Sequence, residues 1–159
     1  MTSKTDTITK EHLEALSAFR YRLRCFLRFS EEASRAAGIT SLQYQMLLQT
    51  QGFADRDWAS IGELAERLQA QQHGVVALVT RCEEAGLVRR KPSETDRRQV
   101  EVHLLPKGRK LLQTLALTHQ GQLAEFTAAA EAAGETLRRM EAPSQRTRGK
   151  ASLARGRTS

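Results

Sequence analysis

The chain has 159 residues, 40% of them hydrophobic and 27% charged, with a formal net charge of +7 at pH 7; that length suits one domain around one core. No apolar run approaches the roughly 18 residues of a membrane span, and the polar start Met-Thr-Ser-Lys-Thr-Asp lacks the apolar segment of a secretory signal, so a cytoplasmic protein without a membrane partner is expected. Five of the seven net charges follow Glu141, at Arg146, Arg148, Lys150, Arg155 and Arg157, which leaves residues 1–141 at only +2. Any argument for nucleic acid must therefore rest on local charge rather than on the sum.

In chain order, Leu13, Leu16, Phe19, Leu23, Phe26 and Leu27 recur at three- and four-residue steps and predict a long amphipathic helix from about Thr9 to Ala37, closed by Gly38. Thr40 with Gln43 is a capping box for a second helix through about Gln51, ended by Gly52. The loop from Phe53 to Trp58 leads to Ser60, which with Glu63 caps a short helix from Ile61 to Leu68. After a break at Gln69 to Gln71, a helix from about Gln72 to Ala85 turns Val75, Leu78, Val79 and Cys82 inward. Two short helices joined by a tight turn form a helix-turn-helix, and the outward residues of the second, Gln72, His73, Val76, Ala77 and Thr80, would face a major groove.

Gly86 then opens a strand, Leu87 to Lys91, which Pro92 stops. The return run alternates, with Val100, Val102 and Leu104 on a buried face and Glu101 and His103 on a solvated one. The tip, Ser93 to Asp96, is rich in turn formers. Arg89, Arg90, Lys91, Arg97 and Arg98 outweigh Glu94 and Asp96, so an exposed basic hairpin is expected. Pro106 opens a last helix whose apolar pattern runs to about Ala130; Gly134 is expected to interrupt it before a short final turn around Leu137 and Met140. The first and last helices carry more apolar surface than a small winged domain covers, which predicts a homodimer.

The chain has no Gly-rich phosphate loop, His-Glu-x-x-His or nucleophile elbow, and its four histidines are scattered, so no enzyme activity, metal or cofactor is expected. Cys25 and Cys82 read as packing residues of a reduced protein. The fold class is mainly α with a small antiparallel sheet: a domain over 9–141, with helix-turn-helix and wing at 60–105 between dimerisation helices at 9–37 and 106–141. The tail, 142–159, is expected to be disordered.

From about Leu13 to Leu123 the sequence resembles the MarR family of winged-helix transcription regulators. The wing carries the family's Asp-x-Arg, then an aliphatic and a Leu, as Asp96, Arg98, Val102 and Leu104. Gly38-Ile39-Thr40 with Gln43, Trp58 before Ser60-Ile61-Gly62-Glu63-Leu64-Ala65, and Lys107-Gly108-Arg109 match further landmarks. His73-Gly74-Val75-Val76-Ala77 departs from the Thr or Ser and Arg that many relatives carry in the recognition helix, leaving Gln71, Gln72 and His73 as polar readers and Val76 and Ala77 for thymine methyls. The resemblance implies a homodimeric repressor on palindromic double-stranded DNA. Arg98 would then enter a minor groove, Arg81 and Arg97 would meet phosphates, and Ser60 would cap its helix near a phosphate. Asp96 would hold the wing tip. It also implies release by a small aromatic or phenolic effector, with Arg20, Tyr21, Arg24 and Tyr44 as candidate pocket residues. The alternative is a winged-helix module for protein contact or non-specific DNA coating.

Overall fold

A computed structural model describes residues 8–96 and 98–141. The elements run α1 (Lys10–Ala36), α2 (Ser41–Gln51), β1 (Trp58–Ser60), α3 (Ile61–Arg67), α4 (Gln72–Glu84), β2 (Val88–Pro92), β3 (Val100–Leu104) and α5 (Pro106–Glu141). Helix starts follow capping chemistry. Thr40 with Gln43 and Ser60 with Glu63 form reciprocal boxes. The same device opens α1, where His12 fills the third helical position: its Nδ1 accepts from the Thr9 amide at 3.0 Å. Gly38 and Gly86 take φ of +81° and +72°, left-handed conformations that end α1 and α4 at little steric cost. Gln69 makes the helix-turn-helix turn at φ +51°, and its side chain returns to the Glu66 carbonyl at 2.6 Å.

The three strands form an antiparallel sheet of order β1-β3-β2, with Trp58 opposite His103 and Ser60 opposite Glu101 on one side of β3, and Arg90 opposite Val102 on the other. β1 was not expected, because the segment reads as a loop running into a helix cap; three residues are too few to display an alternation. Its presence changes β3. Trp58 stands 6.3 Å from the His103 ring, Glu101 is buried, and His103 Nε2 lies 2.8 Å from Glu101 Oε2. The expected solvated face is thus partly covered, while Val100, expected inward, is exposed.

Met46, Leu47, Leu64, Val75, Val79, Val88 and Val102 fill the core between α2, α3, α4 and the sheet, and Leu112 and Leu115 bring α5 into it. α1 lies against α5, tied by Phe26 and Phe126 stacked at 5.4 Å and by Phe19 at 5.9 Å from Phe126. Leu13, Leu16 and Leu27 of the α1 stripe nevertheless stay exposed, as do Leu117 and Leu123 on α5.

α5 is continuous through Gly134, contrary to the interruption expected there. A single glycine costs a helix about 1 kcal/mol, and the Ala-rich flanks hold no proline or turn residue to convert that cost into a break. Gly108 is different: a Cβ there would stand 2.2 Å from the Leu87 carbonyl oxygen, whereas one at Gly134 meets nothing nearer than the end of the Arg138 side chain at 4.0 Å. Gly108→Ala should therefore destabilise the chain by about 2–3 kcal/mol, while Gly134→Ala should raise the thermal midpoint by about 2–4 °C. Calorimetric melts of the two variants test this, and similar effects at the two glycines would contradict the packing.

Candidate nucleic-acid interface

The start of α3, the helix before α4, is held by a small polar network. Ser60 Oγ donates to Glu63 Oε2 at 2.9 Å and accepts from the Glu63 amide, while Arg56, between the rings of Phe53 (4.3 Å) and Trp58 (4.4 Å), forms an ion pair with the same carboxylate. Burial pushes the Glu63 carboxyl up, but the Ser60 donors and Arg56 outweigh it and hold it below the ordinary range. Ser60 is buried with its hydroxyl engaged. Its side chain is committed to the cap, as expected, so a phosphate at this helix start would meet the backbone amides.

α4 itself buries Val75, Leu78, Val79 and Cys82 and exposes Gln72, His73, Val76, Ala77 and Arg81, with Gln71 exposed at the N-cap and making no side-chain cap bond. The exposed residues therefore carry two amides, an imidazole and two small apolar groups, with a guanidinium one turn beyond Ala77. Thr80, expected outward, is turned toward the wing.

The wing is joined to α4 by Arg90. Its Nη1 donates to Glu83 Oε2 at 2.5 Å, its Nη2 to the Val76 carbonyl at 3.0 Å and Thr80 Oγ1 at 2.9 Å, and its amide to Glu83 Oε1 at 2.9 Å. The Arg90 amide first, and then its guanidinium, hold the Glu83 carboxyl below the usual range. Lys107 Nζ donates to the Ala85 carbonyl at the end of α4 at 2.8 Å, and Arg109 to the Leu104 carbonyl at 2.7 Å. At the tip, Asp96 Oδ1 accepts from the Arg98 amide at 3.0 Å, and Ser93 is buried with its amide on the Gln99 carbonyl.

These bonds alter the charge expected of the hairpin. Arg90 is half-buried on Glu83, and Lys91 pairs with Glu94 at 2.8 Å. Arg89 and Arg98 are exposed and have no acidic partner among the described residues. Arg97 and the 142–159 tail lie outside the described residues. The basic signal narrows to a few outward cations on a wing whose other charges hold it in place.

The four candidate effector residues are not brought together. Tyr44 lies in an apolar cavity of about 830 Å³ bounded by α1, α2 and α5, with Phe26, Leu48, Leu117 and His119 among its walls. Arg20, Tyr21 and Arg24 line a separate groove along α1, beside Arg28 and Glu31. His119 was missed although it continues the Leu112, Leu115 stripe by one helical turn, which was the available signal. Burial pushes the Cys82 thiol up, Cys25 is half-buried, and both are free. No group of metal ligands occurs among the described residues, and no described helix is long and apolar enough to cross a membrane.

The fold and this arrangement define a winged helix-turn-helix protein, with a presented helix, a wing clamped to it and long flanking helices. Residues 37–99, which span α2 to the wing, match the family model described as the MarR family. A protein assigned to transcriptional regulation of the hcr operon in Thauera aromatica is 29% identical over 109 residues, covering 69% of this chain and 64% of the relative's own length. Among solved structures, AbsC, a MarR family transcriptional regulator from Streptomyces coelicolor, superposes with a TM-score of 0.63 at 23% identity, over 83% of this chain and 97% of AbsC. A mutant MarR from E. coli complexed with operator DNA does so at 0.61 and 21% identity, over 77% of this chain and 87% of that one.

Removing the clamp tests its role directly. Arg90→Met should cost roughly 1–2 kcal/mol, discounted for partial exposure, and should speed hydrogen exchange of the β2 and β3 amides while leaving α1 and α5 protected. Exchange unchanged in the wing would mean that the sheet alone positions it.

Proposed function

We propose that this chain is a sequence-specific double-stranded DNA-binding transcription regulator that acts as a homodimeric repressor released by a small aromatic or phenolic ligand. The observation that carries the DNA reading is the Arg90 clamp, because it makes the α4 surface and the wing one rigid body able to address two grooves together. In this reading Gln71, Gln72 and His73 hydrogen-bond base edges in a major groove, and Val76 and Ala77 meet thymine methyls. Arg98 enters the adjacent minor groove, where a narrow A·T-rich segment concentrates negative potential. Arg81 and Arg97 contact phosphates and add affinity without sequence information.

The dimer reading is supported by the exposed leucines of α1 and α5: Leu117 is 72% and Leu13 54% exposed, which a second copy would remove from water. Residues 9–37 and 106–141 would form that interface and 60–105 the DNA-binding head, setting half-sites about 34–36 Å apart on a palindromic operator. The cavity beside Tyr44 supports the ligand, with a volume inside the usual range for small-molecule sites. The 142–159 tail would add only non-specific attraction.

Once genome-wide footprinting has located an operator, Arg98→Ala should lower affinity for it by about 1–3 kcal/mol, with secondary structure unchanged and a solution mass still twice 17.8 kDa. Unchanged affinity would reject the minor-groove role, and a monomeric mass would reject the dimer. Removal of residues 142–159 should leave the footprints in place. Loss of all site preference with the tail would favour the DNA-coating alternative.

A further inference from the structure

Resting on the reading of α4 as the helix that enters a major groove, we infer that Gly74 sets how deeply it enters: the DNA lies directly against the Gly74 backbone, where any side chain would hold the helix off. Glycine at this position has no cause inside the chain. Gly38 and Gly86 serve by their positive φ, and Gly108 by its close contact with the Leu87 carbonyl. Gly74 does neither: its φ is not positive, and a Cβ added there meets no atom within 4 Å. It is exposed in the first turn of α4, where a glycine costs a helix roughly 0.5–1 kcal/mol relative to alanine. Open space alone assigns nothing, since Gly121 and Gly134 on α5 are open as well. What sets Gly74 apart is the surface it belongs to.

The base-reading side chains of α4 are short. Gln71, Gln72, His73, Val76 and Ala77 include no lysine or arginine, so each ends nearer the helix axis than a guanidinium would. Such groups reach base edges only when the backbone that carries them lies close to the groove floor, and a bare Cα at Gly74 lets it do so. The position fits. Gly74, Ala77 and Arg81 are spaced three and four residues apart and so share one side of α4. Thr80, on another side, accepts from Arg90 of the wing at 2.9 Å. One flank of the helix therefore runs from bare backbone at Gly74, past a methyl at Ala77, to the Arg81 guanidinium. The duplex closes on the first turn, while Arg81 meets a phosphate further along.

Gly74→Ala and Gly74→Leu in the full chain test this, by fluorescence anisotropy on the footprinted operator and on an unrelated duplex of equal length. Since the chain itself has room for the methyl, Gly74→Ala should leave the thermal midpoint unchanged or raise it by up to about 3 °C. Operator affinity should nevertheless fall about tenfold in Gly74→Ala and about a hundredfold in Gly74→Leu. Affinity for the unrelated duplex should stay within about twofold, because attraction to phosphates does not need a deep seat. Gly134→Ala, the same change outside the reading head, should alter neither affinity. A Gly74→Ala chain that binds the operator as the native chain does would overturn the inference. So would a lowered midpoint, which would give the glycine a cause within the fold, or an equal loss on both duplexes. A native chain that does not prefer the operator would overturn the proposed function itself, and this inference with it.

Discussion

The Arg90 guanidinium adds a polar tie between two elements whose apolar faces already meet in the core, Val88, Val102 and Leu104 of the hairpin with Val75, Leu78, Val79 and Cys82 of α4. Here the guanidinium spans from β2 to α4 and satisfies a carboxylate, a helix carbonyl and a hydroxyl together. Its planar fork is suited to several fixed acceptors where a lysine would offer a point charge. Gly108 closes the other side by letting α5 press on the Leu87 carbonyl, and Lys107 ties that helix to the end of α4. The recognition surface, the wing and the long last helix therefore share one junction.

Much of this was legible in the residues because the rules involved are local. Capping boxes at Thr40 and Ser60, left-handed glycines at 38 and 86, and helical spacing of Val75, Leu78, Val79 and Cys82 each act within a few positions, and the elements follow them. What escaped depends on partners distant in sequence. Trp58 to Ser60 becomes a strand only because β3 lies beside it, and that pairing buries Glu101 and draws in His103. Arg90 and Lys91 counted toward an exposed basic hairpin because a sum of charges leaves out Glu83, seven residues before Arg90, and does not show that Glu94 pairs with Lys91. Gly134 looked like a break because one residue's propensity was set above the helix on both sides.

The candidate ligand residues illustrate the same limit. Tyr44 and Arg24 come from helices that touch, yet the rotation of α1 sends one toward a cavity and the other to a separate groove. Three-dimensional placement also brought out His119, which a linear reading left among scattered histidines. Its stacking partner Tyr44 sits on α2, whose Met46 and Leu47 fill the core under the sheet. The cavity and the core under the sheet thus share α2.

The central claim is that one rigid unit per chain reads a major groove with α4 and a minor groove with the wing. Dimethyl sulfate probing of the occupied operator tests it most directly, since guanine N7 lies in the major groove and adenine N3 in the minor groove. The account predicts two patches of N7 protection centred about 10–10.5 base pairs apart, each with N3 protection at its flank. N7 protection without flanking N3 protection, or uniform protection along the duplex, would contradict it.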